Sequence, residues 1–136
     1  MKVVIDTNIW ISYLLGGLLN ELDEWILSRK LKVAVSEEML KELSDVISRR
    51  KFRSLFTDER VKELFALLDN YAVVVSPKQR VDICRDPKDN FLLEVALEGQ
   101  VSYLVTGDDD LLVLDPFRNI RILRPADFRV VLLSGS

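Results

Sequence analysis

No histidine occurs in the 136 residues, and Cys84 is the one cysteine. The first absence removes the commonest general base and the commonest zinc ligand together. The second excludes a disulfide framework within one chain and suits a reducing compartment. No apolar run approaches the ~20 residues that span a bilayer. Met1-Lys2 leads into a strand, not into the apolar core of a signal peptide, so a cytoplasmic protein with no membrane partner is expected. Basic excess is missing too: 19 Lys and Arg against 22 Asp and Glu give a formal net charge of −3. The chain as a whole does not advertise a polyanion partner, although an acidic site among basic rims is compatible with one. Glycine and proline are scarce, and no repeat, low-complexity tract or linker interrupts the chain. That predicts one domain over 1–133 and a loose tail at 134–136.

What the sequence does contain is organised around Val3-Val4-Ile5-Asp6-Thr7-Asn8. Three β-branched residues read as a short strand buried on both faces, ending at a carboxylate and two small polar residues. In an open parallel sheet the carboxyl ends of the strands form the ligand crevice, so Asp6 stands where chemistry is expected. Capping of the next helix is the other role open to it.

The remaining chain alternates. Helical spacing follows from Ile9 to Leu15, then Gly16-Gly17, then a helix carrying Leu18, Leu22, Trp25 and Ile26. Val33 to Val35 is a strand, Ser36 a cap, and Glu37 to about Arg49 a helix burying Met39, Leu40, Leu43, Val46 and Ile47. Thr57 caps another helix, Ala72 to Val75 forms a third strand, and a polar loop from Lys78 to Arg85 leads to Asp86-Pro87-Lys88-Asp89, a strong helix start. Gly99 stops that helix, Tyr103 to Thr106 is a strand, and Gly107-Asp108-Asp109-Asp110 opens a short segment. Ile120 to Leu123 and a helix from Pro125 to Leu133, docking Phe128 and Leu132, complete the chain. Strands alternating with helices predict an α/β fold, a parallel sheet with helices on both faces.

That topology collects acids. Each helix begins near the carboxyl edge of the strand before it, so Asp6, Asp108 and the first turn holding Asp86 and Asp89 share one rim. Glu42 flanks the apolar stripe of its helix, three residues after Met39 and four before Val46, and faces the same cleft. Two carboxylates about 6 Å apart repel by roughly 3 kcal/mol at an effective dielectric near 20, so such a cluster needs a cation. With only hard oxygen ligands on offer, the ion is magnesium or manganese, whose usual work is on phosphate groups. Metal-assisted phosphodiester hydrolysis is the reaction this predicts.

Asp6-Thr7-Asn8 after an apolar strand, Glu42 in a mid-chain helix, Asp89 opening a helix with Ala96, and Val105-Thr106-Gly107-Asp108-Asp109-Asp110 together resemble the PIN-domain nucleases. The resemblance covers nearly the whole chain and is similar to the VapC-like toxins of toxin–antitoxin pairs. It implies a three-layer α/β/α sandwich with strand order 3-2-1-4-5, Mg2+- or Mn2+-dependent cleavage of single-stranded RNA, a homodimer, and a small antitoxin protein as partner. Asp6, Glu42, Asp89 and Asp108 match the acidic quartet of that family. Thr7, Asn8 and Thr106 match its polar supports, and Asp110 an acid often present nearby. Asp86 either joins the site or only caps its helix.

Lys78, Arg80, Arg85 and Lys88 are candidates for RNA phosphate contacts. The run Arg49 to Arg53 either grips RNA, with Phe52 for stacking, or complements a helix C-terminus. Asp109 reads as a capping acid, Trp10, Trp25 and Tyr13 as core or dimer-interface residues, and Cys84 has no assigned role. A non-catalytic module binding RNA or a protein partner is the competing class, and the full acidic set argues against it. A receiver-like or aspartyl-phosphatase-like domain fits worse, because Ser76-Pro77 follows the third strand and Asn8 stands two residues after Asp6.

Overall fold

Val3 and Ile5 pack to one side of the first strand and Val4 to the other, and the same alternation through the other central strands fixes a sheet buried on both faces. A computed structural model describes residues 1–17, 19–49 and 55–134. Leu18, residues 50–54 with their basic stretch Arg50 to Arg53, and the tail at 135–136 lie outside the described residues. The elements are β1 (Lys2–Ile5), α1 (Thr7–Leu14), α2 (Leu22–Leu27), β2 (Lys32–Val35), α3 (Glu37–Ile47), α4 (Asp58–Tyr71), β3 (Val73–Val74), α5 (Pro87–Glu98), β4 (Tyr103–Val105), α6 (Asp109–Leu112), β5 (Arg121–Leu123) and α7 (Pro125–Leu133). The sheet is parallel throughout and ordered β3-β2-β1-β4-β5, with Val3 paired to both Val33 and Tyr103. This is the expected three-layer sandwich.

One face carries Val3, Ile5, Val33, Val35 and Val105 against α1, α2, α3, α4 and α7, and it holds the buried aromatics Trp10, Tyr13 and Phe128. The other carries Val4, Ala34, Leu104 and Ile122 against α5 and α6 and is aliphatic at its centre. Trp10 and Tyr13 meet edge to face at 6.0 Å, and the Arg60 guanidinium lies 5.0 Å over the Tyr13 ring while donating to the carbonyls of Tyr13 and Leu14. These rings are therefore core and helix-end groups. No helix among the described residues is long and apolar enough to cross a membrane.

The helix starts are chemically explicit. Met39 N–H donates to Ser36 Oγ at 3.1 Å and Arg60 N–H to Thr57 Oγ1 at 3.1 Å, as expected of Ser and Thr caps. Two local expectations change. The third strand is two residues long, because Ala72 closes α4 with its N–H on Leu68 and the strand has a single neighbour at the sheet edge. Gly99 does not supply a left-handed turn. That conformation belongs to Gln100 (φ 51), whereas a Cβ on Gly99 would sit 2.9 Å from Ala34 Cβ, so glycine lets α5 close onto β2.

Candidate metal centre

The carboxyl edge of β1 ends in a residue whose two oxygens do different work. Asp6 Oδ1 accepts from Asn8 N–H at 3.3 Å, capping α1, while Oδ2 accepts from Thr106 Oγ1 at 2.8 Å. Cap and cleft residue are thus one residue, and the choice left open by the sequence dissolves. Thr106 is fully buried beyond β4, and its oxygen also accepts from Asp108 N–H at 3.1 Å. One hydroxyl therefore joins the ends of β1 and β4.

Asp108 caps α6, accepting from Asp110 N–H at 2.9 Å, and Asp86 caps α5, accepting from Lys88 N–H at 2.9 Å. Asp89, in the first turn of α5, is buried. Carboxylate oxygens of Asp89, Asp108 and Asp110 all lie within 4.8 Å of one another. That span approaches the roughly 4 Å between opposite ligands of an octahedral magnesium, and every donor is a hard oxygen, so the set fits such an ion. Asp6, Glu42, Asp86, Asp89 and Asp108 line one cleft of about 860 Å³, with Thr7, Asn8 and Lys88 also on its walls. Residues far apart in sequence meet there. The tight trio differs from the expected quartet in two respects: Asp110, the further acid the resemblance offers, joins it, and Asp6 and Glu42 stand on the surrounding wall.

Crowding shows in the electrostatics. Burial first, then a hydrogen bond with Asp108 and the negative charges of Asp108, Asp86 and Asp6, push Asp89 up to about 6. Burial also raises Asp6, outweighing the hydrogen bonds from Thr106 and Asn8 that favour its charged form. Cys84 is raised by burial and then by Asp89, Asp108, Asp110 and Asp86, so its thiol is held neutral beside the acids.

The cations sort unevenly. Lys88 lines the cleft, and Arg85 lies 3.5 Å from Asp110 but is almost wholly exposed, a pair of little energetic weight. Lys78 and Arg80 are not brought to the cleft, because their loop runs down the flank of α5: Lys78 N–H donates to Glu98 at 3.1 Å, at the far end of that helix. Asp109 turns outward to Arg124. Arg49, at the end of α3, does line the cleft.

The loop between β3 and α5 is held by a polar ladder with no obvious signature in the sequence. Asn90, Glu94 and Glu98, four residues apart on α5, accept from the N–H groups of Ile83 and Cys84, of Val81, and of Lys78 respectively. Asn90 and Glu94 are buried, and Asn90 Nδ2 returns a bond to the Cys84 carbonyl at 3.2 Å. Their spacing was the available signal, but the same spacing is common on solvated helix faces.

A family model described as PIN domain matches residues 2–110. The chain is also 32% identical over 117 residues to an uncharacterized protein, MJ1680, of Methanocaldococcus jannaschii, covering 84% of this chain and 75% of that one.

Proposed function

The chain belongs to the PIN-domain family, and from that premise we propose that it is a magnesium- or manganese-dependent ribonuclease cleaving single-stranded RNA, acting as the toxin of a toxin–antitoxin pair. The observation that carries the catalytic reading is the trio of carboxylates within 4.8 Å at the carboxyl edge of the sheet, one of them buried and pushed up to about 6. Four chain segments contribute acids to a cleft with no thiolate or imidazole ligand, which suits a hard cation and phosphate chemistry.

In this reading Asp89, Asp108 and Asp110 hold the ion, which when bound would make a water more acidic and neutralise charge developing on the phosphate. Asp6 lends negative charge from the wall, its carboxylate kept in one rotamer by the Thr106 hydroxyl. Glu42 is half-buried on α3, makes no hydrogen bond or ion pair among the described residues, and orients the attacking water across the cleft. Thr7 and Asn8 fix the entry of α1, and Lys88 meets the substrate's phosphates. Asp86 keeps its capping bond and adds charge behind Asp89.

Cleavage of varied single-stranded RNAs with and without Mn2+ by wild type and Asp108→Asn tests the reading. Metal-dependent cleavage that the variant loses supports it; two proteins equally inert across RNAs and metals would leave the non-catalytic binding module instead. The toxin role is tested separately, by whether a small protein encoded beside this chain co-purifies with it and suppresses its activity.

A further inference from the structure

Met39, Glu42 and Val46 of α3, and Arg49 two residues past its end, recur at three- and four-residue spacing, and all four line the acid-containing cleft. At 1.5 Å rise per residue, α3 runs on roughly 7 Å beyond Glu42 before it ends at Ile47, and Arg49 follows its cap Ser48. Val46 stands between them along the chain, and Ile11, together with Phe91 and Leu92 of α5, adds apolar lining to the same cleft. The cleft thus joins acids, an apolar stretch and a guanidinium. Among the described residues Arg49 has no ion-pair partner.

We propose that this apolar stretch and Arg49 form a subsite for the nucleotide next to the scissile phosphate, the base lying against Phe91 and Val46 and the following phosphate pairing with Arg49. The inference rests on the ribonuclease reading and deepens it. An acidic floor repels an RNA backbone everywhere except at a bound cation, so a chain lying in the cleft needs attractive points beyond the acids. Lys88 is one, and Arg49 adds another. A base offers a π-face to an aromatic ring whatever its sequence, so Phe91 gives grip without strong base preference. Arg49 also lies at the C-terminal end of α3, where a cation is favourable in any case. That role alone acts on stability and leaves RNA affinity untouched.

The test compares the full chain with Arg49→Gln, Phe91→Ala and, as a control, Lys41→Gln, which removes a charge from the exposed face of the same helix. Cleavage of a single-stranded 12-mer RNA in Mn2+ is expected to show KM rising about tenfold in Arg49→Gln with a smaller change in kcat. Binding of a labelled 12-mer in Ca2+ is expected to lose about 0.7 from its salt slope, the share of one phosphate contact on a single strand. Lys41→Gln should change neither. A dinucleotide substrate, too short to reach Arg49, should be cleaved alike by wild type and Arg49→Gln. Identical KM and salt slope in Arg49→Gln and Lys41→Gln would overturn the subsite while leaving the nuclease reading intact. A wild type that cleaves nothing but whose RNA binding still depends on Arg49 would sink the nuclease reading and support the subsite. Preference for a matching single-stranded DNA would overturn the assignment of RNA as its occupant.

Discussion

The helices α3 and α5 flank the same cleft and are built on opposite plans. In α3 every buried residue (Met39, Leu43, Val46, Ile47) is apolar, and the acids and serines of the other face meet solvent. In α5 the buried set includes Asp89, Asn90 and Glu94 among Leu92, Leu93, Val95 and Ala96, so polarity is enclosed instead of displayed. The difference teaches where the molecule holds its unfavourable electrostatics. A helix with one wet face can lend a single acid, Glu42, to a cleft at little cost, whereas buried Glu94 is compensated by the Val81 N–H and buried Asp89 is penalised by the acids around it.

The contrast should break most sharply in activity. Asp89→Asn is expected to lower Mn2+-dependent turnover on the order of 10³-fold, and Glu42→Gln by roughly 10- to 100-fold, since one removes a proposed metal ligand and the other a group acting through water. Single-turnover cleavage measures both, and a larger loss at Glu42 would reverse the assignment.

Metal should remove the electrostatic penalty of α5 and leave α3 alone. At a concentration near 100 times Kd, Mn2+ is expected to stabilise the fold by about 2.7 kcal/mol, read as a rise in Tm that Asp89→Asn abolishes. The pH sign follows from Asp89. Its folded value, about 6, is raised above its ordinary one, so its contribution is full in strong acid and lost as pH climbs through about 6. Metal-free protein should therefore lose stability across that window, an effect absent in Asp89→Asn. Stabilisation by Mn2+ should fade below about pH 6, where a proton competes for the same carboxylate.

Glu94→Ala should cost about 1–3 kcal/mol by stranding the Val81 N–H that Glu94 now receives at 2.9 Å, whereas Glu38→Ala on the exposed face of α3 should stay within about 0.5 kcal/mol. Urea unfolding separates the two. Between these two, Ser36→Ala removes the cap of α3 and should cost about 1 kcal/mol by the same measurement.

Much of this could be read from residue order alone, and the two helices explain what could not. Amphipathic spacing exposed α3 and the place of Glu42 on it, and Ser36, Thr57 and Asp86 announced the helix starts that they cap, whereas the cap of α6 is Asp108 and not the expected Asp109. Valine-rich runs gave the strands and their alternation with helices a parallel sheet, while the strand order came from the family resemblance alone. Hidden from that reasoning was whatever depended on one element touching another. Gly99 looks like a terminator until Ala34 is seen against it. Glu94 and Glu98 look like solvated charges until the loop is laid along them. Lys78 and Arg80 look close to Asp86 in sequence, yet their loop descends the helix before it returns. Asp110, by contrast, was already offered by the family resemblance, and it stands with Asp89 and Asp108 at the start of α6.

Thr106 has one proton to give, and Asp6 receives it; its lone pair is meanwhile taken by the amide of Asp108. The direction of that wire is therefore set. Serine could carry the same message, while valine, alike in outline, would cut it and let two strand ends a hundred residues apart settle independently.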